Sequence, residues 1–233
     1  MRKIILISFL LVFPLTCFAQ SFEDHPYFKA MKAMDFAMHG KFEEAKIEFE
    51  KALALDPDNI ETKNDLWIAQ DALDGKIKRE TALSLFIGIG SAEVGGYYGA
   101  IEEFTKAINN NPEYAPAYIC RGNTYEAEGK YDEAIYDFNK ALELKPKDVR
   151  ALNSRAIAYE SKKLYDKAIS DYDKAIEIEP KTANTYYNKA GACKEAGRIH
   201  ESIEAYKKFI QYAPPKYASQ IERAKKRIEE MKK

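Results

Sequence analysis

Apolar and small residues recur along this chain in parallel columns, each column tied to a proline. Counting back from Pro57, Pro112, Pro146, Pro180 and Pro214, the residues five places earlier are Ala52, Ala107, Ala141, Ala175 and Phe209. Three places before those stand Phe49, Phe104, Phe138, Tyr172 and Tyr206, and four further back Ala45, Ala100, Ala134, Ala168 and Ser202. Another three back come Phe42, Tyr97, Tyr131, Tyr165 and Ile199. Spacings of three and four place all of these on one stripe of a helix, where a small residue admits a neighbouring helix and an aromatic fills the space beside it. Segments such as KFEEAKIEFEKALAL and KYDEAIYDFNKALEL are therefore predicted helices, each stopped by its proline. The segments before them, such as APAYICRGNTYEAEG and VRALNSRAIAYESKK, are predicted partner helices, most of them ending at a glycine (Gly40, Gly95, Gly129, Gly197) suited to a left-handed turn. Lys163 stands where the pattern expects that glycine, so a strained turn is expected there.

From Pro112 to Pro214 the prolines recur at one constant interval. That interval, about 34 residues, with its order of Tyr, Ala, Phe, Ala and Pro, resembles the tetratricopeptide repeat. The match is fullest in residues 115–148, where Tyr118, Gly122, Tyr125, Gly129, Ala134, Phe138, Ala141 and Pro146 occupy the family's positions. The resemblance runs over about 26–216, with repeats at 26–59, 81–114, 115–148, 149–182 and 183–216. It implies an all-α fold, a right-handed superhelical solenoid of antiparallel helix pairs whose first helices line a concave groove. The interval from Pro57 to Pro112 is longer than one period. The extra piece, 60–80, contains IETKNDLWIAQDAL and is expected to be a degenerate or partial repeat, the alternative being one long helix running through Gly75. Residues 217–233 place Ile221, Ala224, Ile228 and Met231 on one stripe, as a capping helix requires.

Five glycines in GIGSAEVGGYYG (88–99) raise the question of a phosphate-binding loop. Such a loop needs a preceding strand and a Gly-Lys-Ser/Thr ending or a G-x-G-x-x-G spacing, and neither is written here. In the repeat frame Gly88 falls where two helices touch and Gly95 at the hairpin turn. Gly90, Gly96 and Gly99 exceed the repeat's needs, so this helix is expected to be the least stable of its kind.

Groove-facing positions follow from the resemblance. They include Met31, Met34 and Met38 in the first repeat, Leu85, Phe86 and Ile89 in the second, and Ile119 and Asn123 in the third. Asn153 and Ser154 follow in the fourth, and Tyr187, Asn188 and Lys194 in the last. The N-terminal part thus reads as apolar and methionine-rich, suited either to an adaptable ligand surface or to packing against the 60–80 insert. The C-terminal part reads as polar, suited to a bound peptide backbone or to solvent. Family members that grip acidic chaperone tails use a Lys/Asn/Arg clamp whose basic members are missing here. The expected partner is a protein or peptide, with self-pairing through the apolar part as the alternative.

With 36 basic and 37 acidic residues, the charge balance favours neither nucleic acid nor an anionic membrane. His25, His39 and His200 form no metal-ligand spacing, paired acids such as Glu102–Glu103 lie beside lysines, and no catalytic centre, metal or cofactor is expected. Residues 1–19 read as an export signal: Arg2 and Lys3, the apolar run IILISFLLVF, Pro14, then LTCFA with a cut between Ala19 and Gln20. A lipoprotein cut before Cys17 and a retained anchor are the alternatives, with Pro14 and Thr16 set against the first and the shortness of the run against the second. A periplasmic or secreted location follows, in which Cys120 and Cys193, two repeats apart, are expected to stay unbridged.

Overall fold

The computed structural model describes residues 25–232, so the expected signal segment, with Cys17, Ala19 and Gln20, lies outside the described residues. Twelve α-helices fill the described residues: α1 (Pro26–Met38), α2 (Phe42–Leu55), α3 (Ile60–Leu73), α4 (Arg79–Glu93), α5 (Tyr97–Asn110), α6 (Ala115–Ala127), α7 (Tyr131–Leu144), α8 (Val149–Ser161), α9 (Tyr165–Ile178), α10 (Ala183–Glu195), α11 (Ile199–Tyr212) and α12 (Ala218–Met231), the last preceded by a 3₁₀ turn at Pro215–Tyr217. The chain divides into two compact units, the first running to Ala117 and the second starting at Tyr118.

The turn inside each helix pair is built the same way. In the α6–α7 turn the Gly129 N–H donates to the Glu126 carbonyl at 2.9 Å and the Lys130 N–H to the Tyr125 carbonyl at 2.8 Å. These bonds satisfy carbonyls that the helix end leaves open, and they require a left-handed residue, which Gly129 supplies at φ 82°. Lys163 makes the same pair of bonds in the α8–α9 turn at φ 59°, as its place in the pattern foretold. A side chain in that region costs about 1 kcal/mol, so Lys163→Gly is expected to raise stability by about that amount. A urea midpoint unchanged or lowered in the variant would contradict this.

Within the second unit, α7, α9 and α11 supply the buried stripe the columns describe: Ala134, Phe138, Ala168, Tyr172, Ala205, Tyr206 and Phe209 are all buried. Close approach explains the glycine of α6, because a Cβ on Gly122 would stand 2.6 Å from Cε1 of Phe138. Gly88 meets Phe104 of α5 at the same distance in the first unit, which fits its reading as a packing glycine. At Gly90 a Cβ would stand 2.9 Å from the Met38 sulfur, near the end of a flexible side chain that can shift, so packing does not demand a glycine there. Gly99 does have open space around it.

In the first unit, α1 pairs with α2 and α4 with α5, and α3 stands between the pairs, packed on α2. The 60–80 segment is thus one helix and a turn. Asn59 caps α3 by accepting the Thr62 N–H at 2.9 Å, and Gly75 at φ 69° ends it, so no helix runs on into α4. The turn is fastened by Lys76, 3.0 Å from both Asp71 and Asp74, and by the Tyr114 hydroxyl, which donates to Asp71 at 3.0 Å. At the other end of the chain, α12 buries Ala224 and Ile228, with Ile221 and Met231 half-buried beside them, against Ala205, Tyr206 and Phe209. That is the expected capping stripe.

Candidate functional site

Leu85 and Phe86 do not line a groove. Both are fully buried, and the Phe86 ring lies 6.0 Å from Phe42 and 6.2 Å from Phe49, stacked on the latter. The Phe86 ring thus packs on α2, and α4 contacts both α1 and the insert helix α3. Met34 at 5% exposure and Ile119 at 6% are likewise core residues, and Met38 is half-buried over Gly90. Met31 (45% exposed) and the half-buried Ile89 are what the N-terminal positions leave at the surface. The apolar N-terminal positions are therefore mostly interior.

Apart from the buried Ile119, the predicted residues of the second unit lie at or near the surface. Asn123 on α6 and Lys194 on α10 are exposed, and Asn153 and Ser154 on α8 and Tyr187 and Asn188 on α10 are half-buried. Tyr187 packs edge-on against Tyr206 and Phe209, at ring separations of 5.6 and 4.9 Å, with the Arg227 guanidinium 5.7 Å from its face. Asn188 neighbours the Tyr172 hydroxyl, which donates to Glu160. Glu126 and Glu160, each about three turns into its first helix, are half-buried, and burial holds both carboxyls above the usual carboxylate range.

What the sequence reading missed is a set of ion pairs at a spacing of 16. Arg121 grips Asp137 with two bonds at 2.7 and 2.8 Å, Arg155 grips Asp171 in the same way, and Lys32 reaches Glu48 at 3.4 Å. Each joins a first helix to its own second helix. Arg155 also donates backwards to Asn139 at 2.6 Å, and Lys189 pairs with Asp173 at 2.5 Å, so these cations link successive pairs as well. The recurrence of a base at one repeat position and an acid at a fixed distance after it was visible in the sequence, but it lies off the apolar columns.

Cys120 and Cys193 are both unbridged. Cys193 is fully buried, and burial pushes its thiol up to about 11, so little thiolate exists near neutrality. In protein spanning residues 20–233, a thiol reagent at pH 8 is expected to reach Cys193 only on unfolding; rapid native labelling there would contradict its placement. Among the described residues, no group of three or more His, Cys, Asp or Glu could hold a metal ion, and no helix is long and apolar enough to cross a membrane.

Two models of the tetratricopeptide repeat match the chain, one at residues 115–148 and 149–182, the other at 40–59 and 183–216, together more than half of it. No curated protein matches. Among solved structures, "Crystal structure of MamA" is similar at 24% identity and a TM-score of 0.54, over 76% of this chain and 92% of that one. "MamA RS-1 ArsTM double mutant" is similar at 17% identity and a TM-score of 0.56, over 66% and 94%. "First TPR of Spaghetti (RPAP3) bound to HSP90 peptide SRMEEVD" is similar at 21% identity and a TM-score of 0.51, over 52% and 98%. At these identities the likeness establishes the fold.

Proposed function

The chain belongs to the tetratricopeptide-repeat family, and from that premise we propose that it is a non-catalytic interaction scaffold, binding a peptide or partner protein on the face of its first helices. It works outside the cytoplasm, in an assembly associated with the cell envelope. The observation that carries the binding reading is the surface left by α6, α8 and α10, where Asn123 is exposed, Ile157 is 38% exposed and Asn153, Ser154 and Asn188 are half-buried. Stacked helix pairs leave such a face open along successive repeats, which suits an extended ligand. A similar structure described as holding an HSP90 peptide supports the same mode of use. The export reading is supported by the basic start, apolar run and small-residue cut within residues 1–19.

A photo-cross-linking amino acid placed at Asn123 or Ile157, and separately at Tyr136, tests both parts. Tyr136 is 58% exposed on a second helix, away from the proposed face. The expected result in source cells is a discrete adduct from Asn123 and Ile157, recovered in the envelope fraction and absent from Tyr136. Adducts from Tyr136 alone would overturn the choice of face, and adducts confined to the cytoplasm would overturn the location.

A further inference from the structure

The open face of the second unit carries one-sided charge. Glu126 on α6, Glu160 on α8 and Glu195 on α10 occupy groove positions, and of the two cations at such positions, Lys194 and Arg150, Lys194 lies 3.5 Å from Glu195. Arg150, at the start of α8, is turned onto its own helix cap, 2.7 Å from Asp148. Among the described residues neither Glu126 nor Glu160 forms a salt bridge. The hydrogen bond from Tyr172 is the polar contact made to Glu160, and the negative charge of Glu195 faces it. A carboxylate drawn partly out of water with no cation beside it is costly unless something else supplies the charge.

A further feature of this face suits close approach of a ligand backbone. Gly191, in the middle of α10, has nothing within 4 Å of where a Cβ would stand. No packing inside the chain requires a glycine there, although it costs a helix about 1 kcal/mol against alanine. Its effect is to leave the α10 backbone open to close approach.

Resting on the reading that the first-helix face is the binding surface, we propose that the second unit takes an extended peptide segment bearing a lysine or arginine. The cationic side chain pairs with Glu126 or Glu160, and the segment crosses α10 at Gly191. Complementary charge in a partly desolvated setting then fixes both the choice of partner and its register.

The test uses residues 20–233, which contain all of the described fold, and three fluorescein-labelled octapeptides in one Ala/Ser/Leu background carrying two lysines, two glutamines or two glutamates. Anisotropy is expected to rank lysine above glutamine above glutamate, with the lysine peptide weakened by added salt. Glu126→Gln/Glu160→Gln, with an unchanged circular dichroism spectrum, is expected to weaken the lysine peptide by about tenfold. Equal binding of the three peptides, no effect of the double substitution, or no binding at all would overturn the proposal. If the glutamine and glutamate peptides bind equally well and Gly191→Leu weakens all three, the charge inference falls while the first-helix face stands as a binding surface. If no peptide binds and cross-links form from Tyr136 alone, both fall.

Discussion

Phe86→Ala is expected to cost the first unit about 3–5 kcal/mol, the range for removing a fully buried aromatic from a packed core. The ring is 0% exposed and fills the space between Phe42 and Phe49, and neither neighbour can close the gap without moving α2. Against a typical domain stability of about 5–15 kcal/mol, a loss of that size leaves the unit marginal at ordinary temperature. Far-ultraviolet circular dichroism during urea unfolding reports the change. Phe86→Leu should lose only part of it. A loss below about 1 kcal/mol for alanine would mean that the α4 packing described above is wrong. Phe86→Asp would place a charge in the same space and unfold the unit, so it is no probe of ligand binding.

The second large effect concerns the Arg155 staple. Arg155→Met removes the two-bond cation from Asp171, whose side chain is 4% exposed and which keeps the longer contact to Lys174 at 3.8 Å, and also leaves Asn139 without its donor. Breaking a buried pair from one side costs about 3–5 kcal/mol, and Lys174 places this loss toward the lower end. Arg155→Met/Asp171→Leu is expected to recover most of that loss, since two apolar groups of similar volume need no compensation. Thermal unfolding of the single and double variants separates the cases. A double variant as unstable as the single one would place the cost in lost packing of the arginine stem rather than in the stranded carboxylate.

The helix pairs were legible because each column of small and aromatic residues is a demand made by close packing. The Lys163 turn could be placed from spacing, and the resemblance put Gly122 at a family position, while its contact with Phe138 is a finding of the structure. The groove in the first unit was not legible, because the repeat frame assumes regular stacking and α3 breaks it. With one extra helix between α2 and α4, Phe86 of α4 lies on Phe42 and Phe49 of α2, and no periodicity announces that contact. In the second unit, where the repeats are regular, Asn123, Asn153, Ser154, Asn188 and Lys194 lie at or near the surface, while Ile119 is core. The ion pairs escaped notice because polar residues were read as solvated by default, and their spacing matches neither the helix period nor the repeat length.

The central claim is that the open face of α6, α8 and α10 is where a partner lies. An amide chemical-shift map, recorded while titrating residues 20–233 with the partner recovered by cross-linking, tests it most directly. The expected result is that the shifts concentrate at Asn123, Glu126, Ile157, Glu160, Asn188 and Gly191, while α7, α9 and α11 stay near their free positions. Shifts concentrated on α7, α9 and α11 around Tyr136, with the first helices unmoved, would contradict it.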